Sequence, residues 1–197
     1  MADKATLRAE MYEKRRLLST EEAQYLSELA QNRLMQEKVW KKSRAVALYS
    51  PIRKETQTRK LMDHAWHDGK QVLLPRTVPG PHRLIQLLPC NSFDALVPGA
   101  FGILEPDPAT CPPPENGDIL PDLIVVPGVG YDRHGYRLGN GGGYYDRFFA
   151  RHEIAPIPRI GIAYSFQLVD TLPGREAWDL PMHGVCTDEE LVWIKKP

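Results

Sequence analysis

Cysteine is scarce in this chain: Cys90, Cys111 and Cys186 are its only three, widely spaced and never arranged as C-x-x-C. That pattern carries no dithiol motif and suits reduced thiols in the cytosol. Long apolar runs are absent too. No stretch approaches the roughly 20 residues of a membrane-spanning helix, and the charged N-terminal residues lack the apolar core of a signal peptide. Net charge is missing as well: 25 basic residues stand against 25 acidic ones, which argues against a general nucleic-acid binder. No internal repeat, low-complexity segment or nucleophile–base motif is found. What remains is a globular composition, 42% apolar and 25% charged over 197 residues, enough for one domain with a real core.

The most informative stretch runs from Leu123 to Arg147. Leu123-Ile124-Val125-Val126 has the length and β-branched content of a strand buried on both faces. Pro127 and Gly128 stop it. A polar loop follows, and Gly139, Gly141, Gly142 and Gly143 crowd its far end. Tyr145, Phe148, Phe149 and His152 then recur at helical spacing, so the glycines lead into a helix. Strand, glycine-rich turn and helix together offer free backbone N–H groups to a phosphate. Asp146 is placed to hold the metal of a metal–nucleotide pair, and Arg137 to neutralise phosphate charge. The glycines do not spell a dinucleotide fingerprint, because the third falls at Gly143 and Tyr144 takes the required slot; nor is there a P-loop ending. A flexible turn, with Asp146 as a helix-dipole partner, is equally consistent with the glycines alone.

Read in order, the chain opens with a helix over residues 3 to 18, with Asp3 as its cap. Lys4 and Arg8 lie four apart on one face, either solvated or able to reach one anion. The runs Lys14-Arg15-Arg16 and Lys41-Lys42-Ser43-Arg44 read as solvated helix faces or ends. Ser19-Thr20-Glu21-Glu22 supplies a capping box for a second helix to about Glu37, burying Leu26, Leu29, Ala30 and Leu34, and the two helices are expected to pair antiparallel. Ala45 to Tyr49 reads as a strand ended by Ser50-Pro51. A helix from Glu55 to about Asp68 follows, with Glu55 as a first-turn carboxylate and His64 and His67 as a surface pair. Strands are expected at Gln71–Leu74, Arg83–Leu88 and Arg159–Tyr164, with a short last one near Val185–Thr187 after Trp178-Asp179-Leu180-Pro181. Residues 93 to 117 read as loop, and 111 to 117 as a surface linker. Alternating strands and helices imply a mainly parallel three-layer α/β/α domain, whose ligands gather beyond the carboxyl ends of the strands.

Taken whole, the span Gly128-x-Gly130-Tyr131-Asp132-x-x-Gly135-x-Arg137-Leu138-Gly139-x-Gly141-x-Gly143-Tyr144-Tyr145-Asp146 resembles the signature of the 5-formyltetrahydrofolate cyclo-ligase family. The resemblance implies a single domain over residues 1–197 with a Rossmann-like sheet of the CoA-transferase-like kind. It implies ATP as co-substrate, Mg2+ as cofactor and 5-formyltetrahydrofolate as substrate, in a cytoplasmic protein with no nucleic-acid or membrane partner, acting as a monomer. Lys4 and Arg8 match the family's N-terminal ATP contacts. Arg137, Leu138, Gly139, Asn140, Gly141, Gly142, Gly143, Tyr144 and Tyr145 match its ATP loop. Ser50, Glu55, Asn140 and Tyr144 match its folate contacts, and Asp146 its magnesium ligand. Arg137, Tyr144 and Asp146 are the residues expected to carry catalysis. Gly99 to Pro106 also resembles a family segment. His183 falls where many relatives carry a second magnesium Asp, with Asp179 and Asp188 nearby; imidazole suits magnesium poorly. Two other functions share such a layout: a sugar-phosphate isomerase-like enzyme, and a non-catalytic binder of folate or nucleotide. Arg137, Asp146 and Lys4 together favour ATP chemistry over isomerisation, which would want a poised acid/base pair, whereas a binder would retain Glu55 but need not hydrolyse anything.

Overall fold

The computed structural model describes residues 3–113, 119–174, 176 and 179–197. The first half holds helices α1 (Lys4–Leu17), α2 (Thr20–Gln36) and α3 (Lys38–Lys42), strand β1 (Ala45–Ala47), helix α4 (Arg59–His67), and strands β2 (Gln71–Val78), β3 (Leu84–Pro89), β4 (Leu96–Pro98) and β5 (Leu104–Pro106). The second half holds β6 (Leu123–Val126), β7 (Gly130–Asp132), β8 (Arg137–Leu138), helix α5 (Tyr144–Phe149), and strands β9 (Arg159–Ile162), β10 (Leu168–Val169), β11 (Gly184–Cys186) and β12 (Leu191–Trp193).

The main sheet runs β12-β11-β9-β6-β1-β2-β3. Its five inner strands pair in parallel, and an antiparallel strand closes each edge. After β1 the chain moves outward to β2 and β3; it returns to β6 beside β1 and then moves the other way to β9 and β11. The order therefore reverses between β1 and β6, leaving a crevice outside their carboxyl ends. Period-two alternation splits the apolar strand residues between two layers. Leu123 and Val125 face Leu34, Trp40 and Leu61 of the helices on one side, while Ile124 and Val126 join the cluster of Phe148 and Phe149 on the other. Both faces are covered, which is why β6 reads as a continuous apolar run.

Helix starts follow local chemistry. Asp3 accepts from the Thr6 N–H at 2.7 Å. Ser19 and Glu22 exchange both bonds of the capping box, at 3.0 and 2.8 Å. Tertiary contacts overrode other expectations. α1 and α2 do not share a seam: Leu7 and Met11 pack with Val129, Leu138 and Leu172, whereas Ala30 and Leu34 join the main core. Leu26 and Leu29 are only partly buried. α4 begins at Arg59, four residues later than expected, because residues 49 to 58 are tied across the chain. The Tyr49 hydroxyl donates to Thr56 O at 2.6 Å, and the Thr58 hydroxyl donates to Tyr49 O at the same distance. The expected loop over 93 to 117 contains the β4–β5 hairpin, and β12 pairs beyond the strand expected to be last. Trp178 and much of the 111–117 linker lie outside the described residues. Among those described, no helix is long and apolar enough to cross a membrane.

Candidate active site

A cavity of about 400 Å³ opens at the crevice between β1 and β6. Tyr49 and Ser50 reach it from the end of β1, and Pro127 and Gly128 from the end of β6. Lys4 and Arg8 enter from α1, and the extended second half of β2 adds Pro75, Arg76 and Thr77 as a wall. The loop from Arg137 to Asp146 closes the remaining side. The residues matched to the family's ATP, folate and first magnesium contacts line this one cavity: Lys4, Arg8, Ser50, Glu55 and the whole run from Arg137 to Asp146.

The glycine loop is held by its carbonyls. Arg8 Nε donates to Gly139 O at 2.8 Å, Arg83 Nη1 to Gly142 O at 3.3 Å, and Arg147 Nη1 to Gly143 O at 2.9 Å. Tyr12 donates its hydroxyl to the Asn140 side-chain oxygen. Three arginines, from α1, the β2–β3 turn and α5, thus fix the loop, while the amide N–H groups of residues 139 to 143 donate to no protein atom among the described residues. Two glycines are required by conformation, since Gly141 at φ +88° and Gly143 at φ +69° occupy the left-handed region. Asp132 of the signature has a structural task. It takes the N–H groups of His134 and Tyr136 on one oxygen and that of Leu172 on the other, building the turn between β7 and β8.

Positive charge concentrates around this loop. Arg137 is almost buried, stacks over the Tyr145 ring at 5.3 Å, and donates to Asp146 Oδ1 at 2.9 Å. Burial pushes the Tyr145 phenol far above its usual range, so it stays neutral. Tyr144 meets Phe101 edge to face, with centroids 6.2 Å apart. Across the cavity, Lys4 Nζ stands 3.8 Å from Asp179 Oδ2. Two carboxylates, Asp146 and Asp179, therefore face the same space as the loop. Among the described residues no cluster of three or more metal-ligating side chains occurs. Magnesium bound through one or two carboxylates, with nucleotide oxygens and water completing its shell, fits this donor set.

The opposite wall is chemically different. Glu55 is 7% exposed and sits in an irregular segment before α4, so it is not a first-turn helix carboxylate. Its Oε2 accepts from the Ile52 N–H at 3.2 Å, and Arg15 Nη2 lies 3.9 Å from Oε1. Burial pushes the carboxyl up, and the Arg15 charge pulls it back. The Ser50 hydroxyl, also on the cavity wall, is buried without a hydrogen-bond partner among the described residues, an arrangement that calls for a bound polar group.

His183 departs from expectation. It precedes β11, at the amino ends of the parallel strands, and is not part of the cavity. Its Nδ1 accepts from the Arg159 N–H at 3.2 Å, an internal strand-end contact. Sequence reasoning missed Arg76 and Thr77 and touched Glu105 only within the 99–106 segment; Thr77 donates to Glu105 at 2.8 Å on the cavity wall. For Arg76 and Thr77 the only local signal is the extension of β2 beyond Leu74, and β-propensity at Arg76 is weak.

An α/β fold with a two-sided cavity at its topological switch point, amides and cations on one side and a buried carboxylate on the other, defines an enzyme-like pocket for two polar ligands. The chain belongs to the 5-formyltetrahydrofolate cyclo-ligase family, whose model matches residues 1–188. It is 31% identical over 185 residues to the 5-formyltetrahydrofolate cyclo-ligase of Escherichia coli K12, covering 92% of this chain and 97% of that protein. Identity to the probable enzyme of Caenorhabditis elegans is 30% over 184 residues, covering 89% and 87%. Among solved structures, the 5,10-methenyltetrahydrofolate synthetase of Aquifex aeolicus superposes with a TM-score of 0.79 at 39% identity, covering 98% of this chain and 94% of that one. The Mycoplasma pneumoniae synthetase gives 0.69 at 26% identity, covering 95% and 99%.

Proposed function

We propose that this protein converts 5-formyltetrahydrofolate and ATP into 5,10-methenyltetrahydrofolate, ADP and phosphate. One observation carries the reading: residues matching the family's contacts, up to 142 positions apart in sequence from Lys4 to Asp146, line one cavity. The chemistry explains the design. A formyl oxygen on N5 is a poor leaving group, so loss of water on ring closure is slow. Transfer of the γ-phosphoryl group to that oxygen makes phosphate the leaving group, and N10 attacks the activated carbon. Such a reaction asks the protein for alignment and charge neutralisation rather than a nucleophile.

In this reading the free amides of residues 139 to 143 and the side chains of Lys4, Arg8 and Arg137 receive the phosphates. Glu55 accepts the adjacent N–H donors of the pterin, a pairing that suits two carboxylate oxygens. Ser50, Asn140 and Tyr144 complete the folate side. Asp146, with Asp179 opposite, would hold magnesium, which neutralises nucleotide charge. The test is ADP and methenyl product formed on mixing the protein with ATP and 5-formyltetrahydrofolate. ADP release that ignores the folate, or no product from it, sinks the reading.

A further inference from the structure

Arg15 lies two turns beyond Arg8 on α1 and is only 2% exposed. Its Nη2 donates to Ile52 O at 3.0 Å and Arg53 O at 2.7 Å, while Nε and Nη1 are buried without hydrogen-bond partners among the described residues. Its distance of 3.9 Å from Glu55 is an ion pair but no hydrogen bond. For stability alone this is a poor arrangement, since an apolar side chain often serves as well as a buried, half-satisfied charge. The carbonyls it holds belong to an unusual loop. Arg53 and Lys54 are consecutive non-glycine residues in the left-handed region, at φ 48° and 56°. Such strain persists only where surroundings enforce it, and it clusters at ligand sites. Lys54 Nζ donates back to the carbonyls of Arg16 and Leu18 at the end of α1, so the loop is pinned to that helix from two sides. The strained turn ends at Glu55, whose carboxylate lines the cavity.

We infer that Arg15 is a positioning residue for the folate side of the cavity: it clamps the 52–55 turn and sets a fixed positive charge behind the Glu55 carboxylate. The inference rests on the reading that Glu55 contacts the pterin. Charge around Glu55 supports it. Burial pushes the carboxyl up, and Arg15 is the largest opposing influence, ahead of the Ile52 N–H and the more distant Arg53 and Arg137. The phenols of Tyr49, Tyr131, Tyr145 and Tyr164 also face this carboxylate, but burial raises all four, leaving them neutral near pH 7. Without Arg15 the largest opposing influence on Glu55 is lost and its pKa rises further, and a carboxyl that takes up a proton loses an acceptor oxygen.

The test compares Arg15→Met, Arg15→Lys and Glu55→Gln in the full chain. Calorimetric titration with 5-formyltetrahydrofolate and with ATP, taken separately, is joined to the pH profile of kcat/KM for the folate. Arg15→Met is expected to weaken folate binding by roughly tenfold or more, leave ATP binding nearly unchanged, and move the acid limb of the profile to higher pH. Arg15→Lys keeps the charge, but its amine ends one bond short of Nη2, the nitrogen that holds both carbonyls, so KM for the folate rises while the acid limb stays in place. Should Arg15→Met fail to fold, Arg15→Lys decides, and an unchanged folate KM there overturns the inference. Equal loss of both ligands in Arg15→Met overturns it too. Normal folate affinity in Glu55→Gln sinks the reading of Glu55 and the inference with it; weakened Glu55→Gln beside unaltered Arg15→Met overturns the inference alone.

Discussion

Asp146 shows how one side chain can be read twice. Its place in the first turn of α5 suits a helix-dipole partner, yet its carboxylate is engaged by Arg137 at 2.9 Å on the cavity wall. The two roles separate in Asp146→Asn, which keeps the shape and removes the charge. We expect turnover to fall at least about tenfold, with a shifted magnesium dependence, since a hard anionic oxygen is lost from the cation's shell. The melting temperature should change little, because the side chain is 42% exposed. Normal kinetics at all magnesium concentrations would reduce Asp146 to a helix-end charge. Arg15 carries the converse lesson. Its sequence neighbours Lys14 and Arg16 are exposed, as a charged run suggests, while Arg15 itself is buried. Its four-residue spacing from Met11 and Leu7 puts it on the buried stripe of α1, and the Ile52 and Arg53 carbonyls, 37 and 38 residues away, take its donors there.

At the scale of elements, the glycine loop and the strand ends answer to different tests. Gly143 caps α5 in the left-handed region. Gly143→Ala adds a Cβ that costs about 1–2 kcal/mol there and meets the Arg147 guanidinium. The expected result is a KM for ATP raised several-fold with folate affinity nearly intact, measured by separate titrations; equal loss of both would detach the loop from the phosphates. His183 belongs to the β9–β11 junction. Its pKa is held below the ordinary value, first by burial and then by Arg159 and Lys195. The unfolded chain takes up its proton near pH ~6.5 while the folded ring resists, so stability is lost as pH falls from that value through the lower folded pKa. His183→Asn keeps an acceptor for the Arg159 N–H and removes the titration. Melts at about pH 7.5 and 5.5 should show a smaller acid loss in the variant, with ATP kinetics unaltered. An identical acid loss would mean other groups dominate, and a raised KM for ATP would return His183 to the site. The delayed start of α4 has a similar origin: Ser27 takes the Gln57 N–H at 2.9 Å, which helps to hold an apparent first turn outside the helix.

Over the whole molecule, the cavity exists because strand order reverses between β1 and β6, and its two sides should respond separately to ligands. Either ligand at about 100 times its Kd adds roughly 2.7 kcal/mol, or about 5–10 °C in Tm for a domain of this size. Glu55→Gln should lose about 1.5–3 kcal/mol of folate binding, and with it most of the folate shift, yet keep the ATP shift. Loss of both shifts together would contradict a two-sided cavity. The sequence by itself determined the helices of the N-terminus, the apolar central strand, the glycine loop and the family, because these depend on neighbours in the chain: caps three residues apart, alternation of period two, glycines where φ must be positive. Through the family resemblance it also named many of the residues that line the cavity, Lys4, Arg8, Ser50, Glu55 and Arg137 to Asp146. Only the tertiary structure decided that Arg15 clamps the 52–53 carbonyls and His183 is remote from the cavity, that Glu55 precedes its helix, and that Arg76, Thr77, Glu105 and Asp179 share the cavity wall. Those outcomes depend on desolvation and on hydrogen bonds between residues distant in sequence, which no local pattern records until the sheet brings them together.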